Sequence, residues 1–246
     1  YEHSIDPGFS VARLSELDRG VIFAVAHVRG GGEMGRQWYE DGKLLHKRNT
    51  FTDFVSCGEH LVESGVTTPS RMVAEGGSAG GLLMGAVTNL APELFAGILA
   101  GVPFVDALTT ILDPSLPLTV IEWDEWGDPL HDPDVYAYMK SYSPYENVRD
   151  GVDYPRILAV TSLNDTRVLY VEPAKWVARL REAGANVIAV IATIVTAIID
   201  TLLAAARRPR VGAVDQAVQV LDELGAHGGV AGGLVGVVAD HEPHRA

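Results

Sequence analysis

"RMVAEGGSAGGLLMG", Arg71 to Gly85, decides the fold. An apolar run that suits a strand breaks into glycines around one serine, and a run of good helix formers follows. Gly76-Gly77-Ser78-Ala79-Gly80 fits G-x-S-x-G, the pattern of a serine held on a tight strand-to-helix turn. The small neighbours let the backbone pack closely there. The hydroxyl is then exposed above the sheet edge, and the N–H of Ala79 points at a developing oxyanion. A flexible, functionless turn is the competing explanation. The placement predicts a strand over Arg71–Glu75 and a helix over Ala79–Leu90.

The segments on either side repeat the alternation. "GVIFAVAH" (Gly20–His27), "GILAGVPF" and "YPRILAVT" (Tyr154–Thr161) read as buried strands. A helix is expected from a cap at Asn49 or Thr50 to about Ser64, with Phe51, Phe54, Val55, Leu61 and Val62 on one face. Another is expected over "EPAKWVARLREAG", from Glu172, with Pro173 near its start and Gly184 after its end. Strands alternating with helices imply an α/β fold, with a parallel sheet covered on both faces. Asp113–Asp153 reads as an excursion from the sheet. Its "IEWDEWGDPLHDPD" holds six carboxylates.

Composition narrows the function. A formal net charge of −13 argues against nucleic-acid binding, which needs a positive surface to release counterions. The single cysteine, Cys57, permits no intrachain disulfide, which suits the cytoplasm, and it reads as a buried, inert thiol on a helix. The glycine-rich "VRGGGEMG" lacks the Gly-Lys-Ser/Thr ending of a phosphate loop, and no dinucleotide fingerprint follows a strand. The histidines and lone cysteine make no convincing metal site, and no cofactor is implied. After Asn186 the texture changes. "VIAVIATIVTAIIDTLLAAA" approaches the length of a membrane span, but Asp200 inside it is costly in hydrocarbon, so a buried strand followed by a helix is expected. Asp215–Gly225 reads as an amphipathic helix. The N-terminal "YEHSIDPGFS" is no signal peptide, and the chain reads as a piece of a longer protein.

A nucleophilic serine needs a base, and the base an orienting acid, in the chain order Ser, Asp or Glu, His. Asp165, in "LAVTSLNDTRV", stands just past a strand; a plain turn aspartate would look the same. His227, in "GAHGG", lies in a glycine-flanked loop and is the candidate base, with a surface-loop histidine as the alternative. His241 and His244 lie in a polar tail, and His131 precedes Asp165 in the wrong order.

The run "SIDPGFSVARLSELDRGVIFAVAHVRGGGEMGRQWYEDGKLLHKRNTFTDF", with "GGSAGGLLMG", "EWDEWGDP" and "NDTRVLYVEPAKWVARLR", resembles the catalytic domain of the prolyl oligopeptidase family, most closely its oligopeptidase B branch. The similarity covers residues 1–186; residues 187–246 are atypical. The whole chain, 1–246, is therefore expected to be one α/β-hydrolase peptidase domain without the family's N-terminal propeller. The resemblance implies a Ser78–Asp165–His227 triad, with the Ala79 N–H in the oxyanion hole and no cofactor. It implies short peptides cut after Arg or Lys as substrates. Glu122 and Asp124 would bind the basic side chain, and in an extended segment the two would point the same way. Asp6 matches one acidic residue of a second subsite, where Gly8 replaces its usual partner. Arg167 matches a substrate-contacting arginine. Without the resemblance, the carboxylates of "EWDEWGDP" read as a solvated acidic loop. The family's second oxyanion donor is a tyrosine that would precede Tyr1. His227 follows Asp165 by 62 residues, farther than the family spacing. An esterase with the same triad and an inactive fragment are the competing expectations.

Overall fold

The computed structural model describes residues 1–6, 8–192 and 236–240. In chain order the elements are α1 (Val11–Leu17), β1 (Val21–Val25), α2 (Arg36–Glu40), α3 (Arg48–Glu63), β2 (Met72–Gly77), α4 (Ala79–Leu90), β3 (Gly97–Gly101), α5 (Ala107–Ile111), α6 (Thr119–Trp126), α7 (Pro133–Lys140), β4 (Arg156–Ser162), α8 (Val171–Glu182), β5 (Val187–Ala192) and β6 (Gly236–Asp240). One sheet runs β1-β6-β2-β3-β4-β5. Strands β2 to β5 are parallel, as strands joined through crossover helices must be. This is the α/β-hydrolase fold.

The core follows from the patterning. Helix α4 is apolar nearly all round and is buried from Gly80 to Asn89, as a central helix must be. Phe51 and Phe54 of α3 are buried with Met72, Leu82, Ile98, Trp176 and Leu180. Helix α1 lies on the other face of the sheet. Its Arg13 guanidinium sits 4.2 Å from the centre of the Phe23 ring, whereas Ala24, the next residue of β1, packs on the core.

Several local expectations shift. Helix α3 begins before the predicted caps, because both cap side chains are used elsewhere. Asn49 Nδ2 donates to the Asp41 carbonyl at 2.8 Å, and Thr50 Oγ1 donates to the Arg29 carbonyl at 2.6 Å. Strand β2 continues to Gly77, into the glycines. Cys57 is half-buried rather than buried, and burial followed by the charge of Asp53 raises its thiol pKa. The apolar run after Asn186 begins as strand β5; the helices expected beyond it lie outside the described residues.

Strand β6 has no counterpart in the sequence reading. It inserts between β1 and β2, antiparallel to both, and pairs along five residues of β1 and four of β2. The "GVVAD" run is too short and too glycine-rich in its surroundings to stand out. What places it is a slot flanked by two strands whose backbone groups need partners.

Candidate active site

Ser78 sits between β2 and α4 with φ 56° and ψ −117°, a conformation rare for a residue with a side chain. Backbone bonds hold it there. Its N–H donates to the Gly101 carbonyl at 2.9 Å, and its carbonyl accepts from Leu82 and Phe104 at 3.2 and 3.1 Å. Two of the glycines are needed sterically. A Cβ on Gly76 would lie 2.4 Å from the Gly80 carbonyl oxygen, and one on Gly81 would lie 2.5 Å from Pro103 Cα. Gly77 differs, because a Cβ there meets nothing closer than 3.5 Å. Ala79 is the first residue of α4, so its N–H has no acceptor within the helix and is oriented by the helix start.

Asp165 follows the end of β4, and its N–H bonds to the Ser162 carbonyl at 3.2 Å. Its Oδ1 accepts from the N–H groups of Arg167 and Val168 at 2.8 and 3.0 Å, which orients the carboxylate. Strands β2, β3 and β4 are parallel neighbours, so Ser78 and Asp165 emerge on one sheet edge. The strands that carry them, β2 and β4, lie two strand spacings apart, about 10 Å. His227 lies outside the described residues.

A pocket opens beside the serine, lined by Tyr1, Ser78, Ala79, Phe104, Glu122 and Arg167 among others. Its walls are mainly apolar, with contributions from Ile111, Leu116 and Val168. Glu122 is half-buried in that wall. Its Oε2 accepts from Tyr1 Oη at 2.7 Å and from Trp126 Nε1 at 2.9 Å. Burial and the neighbouring Glu122 carboxylate drive the Tyr1 phenol far above the ordinary tyrosine pKa, so it acts as a donor.

The acidic segment is not extended. Residues 119–126 form α6, where positions two apart diverge by about 200°. Glu122 therefore faces the pocket while Asp124 is exposed and lines none of it. Asp6 is also exposed and away from the pocket lining. The sequence reading missed Tyr1 as a pocket residue and Glu125 as a buried one. The only local signal for Glu125 was its place between two tryptophans on a helix face.

Among the described residues, no cluster of three or more His, Cys, Asp or Glu side chains is placed to hold a metal ion. No helix among them is long and apolar enough to cross a membrane.

Residues 7–193 match the sequence profile of the prolyl oligopeptidase family, S9 peptidases. The chain belongs to the prolyl oligopeptidase family. The match takes the family-like part through β5, past the change of texture at Asn186. The chain is 59% identical over 181 residues to protease 2 of Moraxella lacunata and 55% identical over 182 residues to dipeptidyl aminopeptidase BI of Pseudoxanthomonas mexicana. Each alignment covers 74% of this chain, and the chain spans about a quarter of those relatives' length (26% and 25%). Oligopeptidase B of Leishmania major superposes with a TM-score of 0.75 at 54% identity, over 78% of this chain and 27% of that one. The same figures hold for oligopeptidase B of Trypanosoma brucei with covalently bound antipain. The names of these relatives cover more than one peptidase specificity.

Proposed function

We propose that this chain is the catalytic part of a serine peptidase that hydrolyses short peptides after Arg or Lys. One observation carries the proposal: Ser78, strained at its turn, and the carboxylate of Glu122 line the same pocket. A guanidinium or ammonium seated against Glu122 gains a charge-assisted bond within apolar walls, where water competes poorly. The next carbonyl of the substrate then lies toward Ser78.

Ser78 Oγ attacks that carbonyl, and the base, His227 in this proposal, takes the hydroxyl proton. The Ala79 N–H stabilises the oxyanion as it forms. The tetrahedral intermediate collapses, the C–N bond breaks, and the base returns its proton to the leaving amine. Water repeats the sequence on the acyl-enzyme. Asp165, held by two backbone N–H groups, fixes the imidazole tautomer and stabilises its charged form. Arg167 lines the pocket as a further substrate contact, and no cofactor takes part. Asp124 and Asp6 belong to the proposal only as outer acidic residues that attract basic peptides, because both are exposed. A cytoplasmic setting suits the one unpaired cysteine.

A fluorophosphonate probe tests the nucleophile, and matched basic peptide and neutral ester substrates test the specificity. Covalent labelling at Ser78 and preference for the basic peptide, lost in Glu122→Gln, are expected. A folded chain unlabelled at Ser78 refutes the activity. Faster turnover of the ester, unchanged in Glu122→Gln, replaces the peptidase with an esterase.

A further inference from the structure

Behind the pocket wall lies a set of buried charges that the acyl-transfer chemistry does not use. Lys47, at the start of α3, and Glu125, on α6, are each 4% exposed, and their side chains form a direct ion pair. Tyr39 Oη completes the carboxylate's partners, donating to Glu125 Oε2 at 2.9 Å. Burying an ammonium and a carboxylate costs several kcal/mol per ion before their attraction is counted, so a mere structural brace has cheaper solutions.

The position of the ammonium suggests its use. Lys47 Nζ lies 4.5 Å from the centre of the Trp126 ring and 5.4 Å from that of Tyr1. Both distances are within the range of cation–π attraction. The two rings meet edge to face, with centroids 5.9 Å apart. These rings also carry the two donors that hold Glu122, Trp126 Nε1 and Tyr1 Oη. A cation on the ring face restrains the ring's rotation and polarises its N–H toward the carboxylate. Glu125 offsets the charge of Lys47, so Lys47 does not neutralise Glu122, the pocket's carboxylate; Arg167 also lines the pocket.

We propose that Lys47 is the positioning residue of the acidic subsite. It pins the Trp126 and Tyr1 rings, and through their donors it fixes Glu122 where a substrate cation must meet it. Glu125 keeps Lys47 from repelling that cation. The inference rests on Glu122 being the subsite for a basic side chain.

The test is binding, so it does not require turnover. n-Butylguanidine and its uncharged isostere n-butylurea are titrated calorimetrically into the 246-residue chain. Lys47→Met alone would strand a buried carboxylate, so the pair is removed together as Lys47→Met/Glu125→Gln. The double variant is expected to weaken n-butylguanidine about tenfold, the loss of one oriented charged contact, and to leave n-butylurea unchanged. Lys47→Arg, which keeps a cation over the rings, is expected to retain most of the affinity. Unchanged n-butylguanidine binding in a folded double variant overturns the proposal, and so does an equal loss for both probes. If the double variant does not fold, Trp126→Phe decides: it keeps a ring beneath Lys47 but deletes the N–H, and unchanged discrimination overturns the proposal. Glu122→Gln separates the two levels. If the wild-type chain does not discriminate the probes, or Glu122→Gln still does, the subsite itself fails and this inference with it. If Glu122→Gln loses discrimination while the double variant keeps it, only the role of Lys47 is lost.

Discussion

Glu172→Gln is expected to flatten the pH dependence of stability between about pH 4.5 and about pH 7. Glu172 is 1% exposed near the start of α8. Its Oε1 accepts from Thr110 Oγ1 at 2.7 Å and its Oε2 from the Asp106 N–H at 3.1 Å, tying α8 to α5. Burial dominates and pushes its pKa from 4.5 up to about 7, against the pull of those two hydrogen bonds. The charge of Asp106 adds to the rise, and Lys175, paired with Asp106, opposes it.

A carboxyl whose folded pKa is raised favours the folded state at low pH. Below 4.5 it is protonated in both states, and burial carries no ionic cost. As pH rises toward 7 the unfolded chain ionises first, and stability falls. Above 7 both states are ionised and the full cost remains. A rise from 4.5 to about 7, at about 1.36 kcal/mol per pH unit, bounds that cost at ~3 kcal/mol. The glutamine cannot accept both hydrogen bonds, which subtracts a constant of about 1 kcal/mol at every pH. The quantity to follow is therefore the change of the wild-type-minus-variant difference with pH. Urea unfolding followed by tryptophan fluorescence, from about pH 4.5 to about pH 8, measures it. The difference is expected to move in the variant's favour as pH rises. A difference that is flat, or moves the other way, refutes the reasoning. Glu146, also raised chiefly by burial, is present in both proteins and cancels.

Gly81→Ala is expected to destabilise by about 1–3 kcal/mol and to suppress fluorophosphonate labelling of Ser78, because its Cβ would overlap Pro103. Gly77→Ala, whose Cβ would make only an ordinary contact at 3.5 Å with the Gly101 carbonyl oxygen, is expected to cost under about 1 kcal/mol; thermal melts and labelling rates compare the two. Phe54→Ala, at a wholly buried position of α3, is expected to cost about 3–5 kcal/mol in urea unfolding. Asp165→Asn keeps an oxygen for the Arg167 and Val168 N–H groups, so it is expected to leave stability nearly unchanged. Its Ser78 reactivity is expected to fall by about 10⁴, the size of the effect when a triad acid no longer sets the tautomer; labelling at equal stability checks this.

Short-range physics made much of this chain legible. The turn at Ser78 can be read from six consecutive residues because the strain, the Gly76–Gly80 approach and the helix start are local, whereas the need for Gly81 comes from the distant Pro103. Helix α4 has the predicted bounds, β1, β3 and β5 fall within their apolar runs, and β4 extends one residue past its own, to Ser162. Asp165 stands at a strand end for the same reason, in a turn that its own side chain closes. The acidic subsite is different. Glu122 and Asp124 are chemically alike and two positions apart, so choosing between them required α6 to be a helix whose one face meets Phe104 and Tyr1. Lys47 and Glu125 are 78 residues apart, and each alone reads as a surface charge. Only packing removes them from water and leaves each as the other's partner. Strand β6 likewise depends on an unfilled place between β1 and β2, created by strands distant in the sequence. Local patterns set the turn and the elements, whereas burial of charge and pairing of backbone edges depend on what the rest of the chain brings alongside.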